Sequence, residues 1–110
     1  MAAREHDAGA PVAAVLPSVD DKGRPVRITL LTRPGCHLCE VAIEAVEATV
    51  ADLSPPVGYA CVDIDQFADP ARANLLARYG EWLPVTFVDG SQHDYWRIDP
   101  DRLAAALSRR

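Results

Sequence analysis

The chain has 110 residues, 49% of them hydrophobic, with nine Pro and six Gly, enough for one domain of ordinary size. Eleven Lys and Arg against 16 Asp and Glu leave a formal net charge of −5, so no basic footprint favours a phosphate backbone and nucleic acid is not expected as a partner. No apolar run approaches the ~18–20 residues of a spanning helix, and Arg4, Glu5, His6 and Asp7 precede only the short run from Val12 to Leu16, so neither a membrane span nor a secretory signal is expected.

Residues 1–24 are rich in Ala, Pro and charge and show no sustained period. They read as a flexible N-terminal tail, either a functionless extension or an unassigned one, ahead of a domain over 25–110. From Val26 the punctuation is regular. Val26 to Thr32 is rich in β-branched residues and largely apolar, as a strand buried on both faces should be, and Pro34-Gly35 stops it. Leu38, Val41/Ala42, Ala45/Val46, Thr49/Val50 and Leu53 then recur at helical spacing, opposite Glu40, Glu44 and Glu47, until Pro55-Pro56. Val57 to Asp65 gives a second strand, which the helical crossover should make parallel to the first.

Asp69-Pro70 has the form of an N-cap followed by Pro at N1. Leu75, Leu76 and Tyr79 supply an apolar face, and Gly80 stands where that helix should end. Pro84 to Val88, the turn Asp89-Gly90, and His93 to Ile98 read as an antiparallel hairpin. Asp99-Pro100 repeats the cap signature before Leu103, Ala106 and Leu107, the buried side of a last helix. The order is βαβαββα, an α/β domain whose four-stranded mixed sheet is covered by three helices.

Three cysteines without a secretory signal cannot make an even disulfide framework, and Cys36/Cys39 with Cys61 left over points to chemistry in a reducing, cytoplasmic setting. Cys36-His37-Leu38-Cys39 lies between the end of a strand and the start of a helix. There, unsatisfied N–H groups and the positive end of the helix dipole favour a thiolate at Cys36 over the ordinary free-thiol pKa of about 8.5. Cys39, three residues on, shares the helix face of Cys36 and can attack a mixed disulfide formed there. Arg33 can place a positive charge beside Cys36 or an anionic substrate, and His37 can do the same when protonated if its ring turns that way. Glu40, at i+4, opposes the thiolate unless solvent screens it. Two cysteines at this spacing are also half of a zinc site that Cys61, His37 or His93 would have to complete, or part of an iron–sulfur cluster bridged between two chains. Cys61, alternating with Val62 and Ile64, reads as a small buried hydrophobe outside catalysis. On base frequencies alone the Leu83–Pro84 bond is expected to be trans.

The residues Thr32-Arg33-Pro34-Gly35-Cys36-His37-Leu38-Cys39-Glu40, then Val62-Asp63-Ile64-Asp65, Arg78-Tyr79-Gly80 and Leu83-Pro84-Val85, together resemble the glutaredoxin-like branch of the thioredoxin-fold proteins over about Val26 to Leu107. The resemblance implies a thioredoxin-like, glutaredoxin-type fold and a thiol–disulfide oxidoreductase with Cys36 as nucleophile and Cys39 as resolving thiol. It also implies that Pro84 is a cis-proline placing the Leu83 backbone beside the active sulfur, and that Arg33 is the basic residue ahead of the first cysteine. Trp82 either borders the substrate groove or packs on Tyr79 or the next strand. No tightly bound cofactor is required. An external thiol or a reductase would donate electrons, the partner would be a disulfide-containing protein or a low-molecular-weight thiol, and the chain would act as a monomer. Two features depart from the family: His-Leu stands between the cysteines in place of Pro-Tyr, and Tyr95-Trp96-Arg97-Ile98-Asp99 stands where glutaredoxins carry Gly-Gly and an acidic residue that help hold glutathione. The resemblance therefore does not carry glutathione over as the partner; Arg97 could bind a carboxylate in another way but reads first as an exposed surface arginine that needs no ligand. A non-enzymatic metal-binding module or a redox-sensing adaptor on the same fold is the alternative.

Overall fold

The computed structural model describes residues 16–108; most of the expected tail, residues 1–15, lies outside the described residues. Strand β1 (Val26–Thr32) is the axis of the fold, with Ile28, Leu30 and Leu31 fully buried. Strand β2 (Gly58–Asp63) runs parallel to it on one side, with Leu30 opposite Cys61 and Leu31 opposite Val62. On the other side β3 (Val85–Val88) runs antiparallel, with Leu30 opposite Thr86, and β4 (Ser91–Tyr95) closes the hairpin. The sheet order is β2-β1-β3-β4. With α1 (His37–Ala51), α2 (Ala71–Tyr79) and α3 (Pro100–Ser108), this is the βαβαββα mixed sheet that the sequence implies.

Because side chains alternate across a strand, neighbouring residues of β1 feed two separate cores. Ile28 and Leu30 pack with Ala42, Val46 and Val50 of α1 and Leu103, Ala106 and Leu107 of α3. Leu31 points the other way, to Val62, Ile64, Val85, Phe87, and Leu75 and Tyr79 of α2. Each fully buried aliphatic side chain contributes about 1.5–3 kcal/mol, so β1 and its two coats supply the main cohesion of the domain. Arg27, at the start of β1, donates to both carboxylate oxygens of Asp89 at 2.9 Å and to the Leu107 carbonyl at 2.8 Å, joining the hairpin turn to the end of α3.

Local chemistry explains where the elements differ from expectation. The buried stripe of α1 runs through Cys39, Ala42, Val46, Thr49 and Val50, while Val41 is 42% exposed. Strand β2 ends at Asp63, whose carboxylate accepts the Asp65 N–H at 2.8 Å and folds Ile64–Gln66 into a short 3-10 turn. Asp69 does not cap α2. The helix begins at Ala71 with Pro70 in the cap position, so Asp69 stands one residue too early to reach the first free amides. Gly80 does end that helix, but in a right-handed conformation, by donating to the Leu76 carbonyl at 2.8 Å. Asp89 and Gly90 both take positive φ (52° and 86°), as a two-residue hairpin turn requires, so pairing resumes at once and β4 starts at Ser91 rather than His93. Asp99 caps α3 as expected, accepting from the Asp101 and Arg102 amides at 3.0 and 3.3 Å.

Ahead of β1, Asp20 accepts from the Lys22 and Arg24 amides and from the Arg24 side chain, and Val19 bridges to Pro25. This turn lies against the start of β2: a methyl group at Gly58 would sit 2.7 Å from the Pro25 carbonyl oxygen and 3.0 Å from that of Arg24. Backbone gives way less readily than a side-chain tip, so Gly58→Ala is expected to destabilise the protein by about 1–3 kcal/mol. Urea unfolding should show a lower midpoint at unchanged slope.

Candidate active site at the start of the first helix

The turn after β1 reverses through Gly35, whose φ of +75° suits glycine, and delivers Cys36 in an extended conformation as the N-cap of α1. As cap, Cys36 offers sulfur where Ser or Asp would offer oxygen: its Sγ accepts the Cys39 N–H at 3.1 Å. Its carbonyl accepts the Glu40 N–H at 3.3 Å and starts the helical ladder. Cys36 and Cys39 are joined by a disulfide, with Cα atoms 5.2 Å apart. The two sulfurs are not equivalent, because Cys39 is only 3% exposed whereas Cys36 is half-buried at the surface of the turn. An incoming disulfide can therefore reach Cys36 first, and Cys39 only through it.

The other expected site residues divide. Arg33 lies next to the turn, but its Nε pairs with Asp65 at 3.4 Å, and Asp65 also accepts from Arg72 at 3.1 and 3.2 Å. The charge of Arg33 is thus shared with a carboxylate flanked by two guanidinium groups. Nothing in the sequence spacing marked Asp65 and Arg72 as its neighbours, since they belong to the 3-10 turn and to α2. His37 projects into solvent, 86% exposed, with Nδ1 3.8 Å from the Glu40 carboxylate, and Glu40 is itself 73% exposed. Solvent screens both from the sulfur.

Leu83 and Pro84 reach the site through the sheet. Leu31 is opposite Val85, so the residues just before Val85 lie beside the end of β1, where the turn to Cys36 begins. The Leu83–Pro84 bond is cis, as the resemblance implies and base frequencies do not; Pro84 is fully buried and Leu83 half-buried. The Trp82 backbone N–H donates to the Tyr79 carbonyl at 2.8 Å, but its ring turns elsewhere. Tyr79 meets Phe87 instead, while Trp82 stacks on Trp96 with centroids 5.4 Å apart and meets the edge of Tyr95 at 5.1 Å.

Cys61 corrects an expectation. It shares the face of Leu30, but β2 is an edge strand, so the residue is exposed rather than part of the core. Cys61 and His93 stand on opposite edge strands, β2 and β4, so they cannot together complete a site with Cys36 and Cys39. Among the described residues no group of three or more His, Cys, Asp or Glu gathers around one point, and no helix is long and apolar enough to cross a membrane.

The family described as glutaredoxin-like domain (DUF836) matches residues 27–108. The chain belongs to this glutaredoxin-like family. An uncharacterized protein of Mycobacterium tuberculosis and its counterpart in Mycobacterium bovis are each 36% identical over 85 residues, which cover 76% of this chain and 84% of theirs. A structural-genomics target protein from X. campestris superposes with a TM-score of 0.56 at 32% identity, over 76% of this chain and 97% of that one. A mutant of a thioredoxin-like protein, at 21% identity and a TM-score of 0.51 over 76% of this chain and 97% of its own, shares the fold. The chain thus has a glutaredoxin-like, thioredoxin-type fold, and its bonded Cys36–Cys39 pair fits a redox role.

When that pair is oxidised, Cys61 is the one thiol left of the three cysteines. Its pKa lies above the ordinary value, first because its sulfur is partly desolvated and second because of the Glu47 carboxylate, and both disfavour the thiolate. Alkylation of the oxidised protein at pH 8 is therefore expected to be slower than that of an unstructured cysteine peptide and to rise steeply at higher pH. Glu47→Gln should speed it, and a rate equal to the peptide's would contradict the placement.

Proposed function

We propose that the protein is a thiol–disulfide oxidoreductase that reduces disulfides of proteins or low-molecular-weight thiols, with Cys36 as nucleophile and Cys39 as resolving thiol. The observation that carries this reading is the inequality of the two sulfurs: the accessible one caps a helix and accepts a backbone N–H, and the buried one is bonded to it.

The reaction balances without a bound cofactor. The Cys36 thiolate attacks one sulfur of the substrate; a Cys36–substrate bond forms, the substrate S–S bond breaks, and the leaving thiolate takes a proton from solvent. Cys39 loses its proton and attacks Cys36 Sγ, forming the intramolecular disulfide and expelling the second substrate thiol. Two electrons pass from the protein to the substrate, and an external dithiol, a pair of monothiols or a reductase returns them. The amide that approaches Cys36 Sγ in the oxidised protein stabilises its charge when the bond is open, which favours Cys36 as the attacking thiolate. The Leu83 backbone, ahead of the cis-proline, offers pairing groups to an extended substrate, while Arg33 and Trp82 border the approach. His37, exposed on the first turn, contributes positive charge to the approach when protonated. The reading places the protein in a reducing cytoplasm as a monomer.

Mild oxidation of the reduced protein should lower its intact mass by two hydrogens, with Cys36 and Cys39 linked in the digest. Cys39→Ser should accumulate mixed disulfides on Cys36, and Cys36→Ser should lose turnover by at least about 10³-fold, as removal of a nucleophile does. Two unlinked thiols after oxidation, or full turnover by Cys36→Ser, would reject the mechanism.

A further inference from the structure

Three large aromatic side chains sit together at the surface: Trp82 is 40% exposed, Tyr95 46% and Trp96 44%. Their rings touch pairwise, with centroids 5.1–5.4 Å apart. Soluble domains commonly expose single apolar residues, but a contiguous group of three rings implies a use.

The group is rigid and tied to the reactive end of the sheet. Trp96 adopts φ of +61°, a conformation that a bulky side chain rarely holds, and three hydrogen bonds keep it there. Its backbone N–H donates to the carbonyls of Pro84 at 2.8 Å and Trp82 at 3.3 Å, and its indole Nε1 donates to the Glu81 carbonyl at 2.9 Å. Tyr95 lies opposite Val85, the residue after the cis-proline. The rings are therefore fixed to the segment that lies beside the end of β1, from which the turn to Cys36 leaves, and β4 stands two strands across from β1. Two strand spacings amount to about 10 Å, the reach of roughly three extended residues at ~3.3 Å each.

We propose that Tyr95 and Trp96, with Trp82, are specificity-determining residues that select polypeptide disulfides carrying an aromatic or large aliphatic side chain about three residues from the reactive cysteine. This rests on the thiol–disulfide reading above and names its substrate class. A small hydrophilic thiol bonded to Cys36 has neither the length nor the apolar surface to engage the rings. An extended peptide has both, and the preformed cluster loses little rotamer freedom on contact.

The test compares two disulfide-linked peptides, identical except for Phe or Ser three residues from the cysteine. The native protein is expected to show about tenfold higher kcat/KM for the Phe peptide, carried mainly by KM and equivalent to ~1.4 kcal/mol. Trp96→Gly, which also relieves the positive φ, and Tyr95→Ser should each bring that ratio to within about twofold of one. Equal kcat/KM for the two peptides in the native protein, or a preference that survives both substitutions, overturns the assignment. A second readout separates this surface from the chemistry: the oxidised protein is titrated with the same peptides carrying Ser for Cys, following the indole N–H resonances of Trp82 and Trp96. Shifts with the Phe peptide alone support the surface even if no disulfide is turned over, in which case it is the Cys36 mechanism that fails. Absence of shifts, or equal shifts with both peptides, overturns the surface.

Discussion

At the start of α1 the chain exposes backbone amides that no upstream carbonyl can receive, because the helix has not yet begun where their partners would be. One of them, from Cys39, is received by the sulfur of Cys36. That contact combines a structural duty with a chemical one. The sulfur satisfies a helix terminus as a capping oxygen would, and the same donor lowers the cost of negative charge on it. The fold holds that terminus at the surface with Cys39 buried beneath it.

The sheet does this through β1. Its fully buried residues fix the strand from both faces, so the position of Thr32 is set by two cores at once, and the turn from Arg33 to Gly35 starts from a rigid point. Antiparallel pairing with β3 brings Leu83 and Pro84 to the same end, and the β3–β4 hairpin carries Tyr95 and Trp96 there as well. Three separated stretches of sequence, the cysteine turn, Leu83-Pro84 and Tyr95-Trp96, therefore meet at this end of the sheet, and the cysteine turn carries the bonded sulfurs. The carboxylate of Asp65, held between Arg33 and Arg72, adds a charged cluster on the other side of the turn.

Much of this architecture is legible in the sequence. Strand β1 is written in a largely apolar run rich in β-branched residues, the hairpin in Asp89-Gly90, and α3 in Asp99-Pro100, because each motif has one cheap backbone solution. The cysteine pair was legible because strand, turn and helix all punctuate around it. Legibility failed where tertiary context decides. Asp69-Pro70 has the same form as Asp99-Pro100, yet only Asp99 stands in the cap position. Cys61 alternates like a core residue, but an edge strand leaves its face open. Trp96 in a left-handed conformation has no local signal at all, since bonds to Pro84, Trp82 and Glu81 impose it from other parts of the chain.

The central claim, that the cap position makes Cys36 the ionised sulfur, is tested most directly by titrating the reduced protein while following thiolate absorbance in the ultraviolet, with Cys61→Ser removing the third thiol. The account predicts a first thiolate that forms with a midpoint clearly below about 8.5 and that vanishes in Cys36→Ser. A first midpoint at or above that value, or one that survives the loss of Cys36, would contradict it.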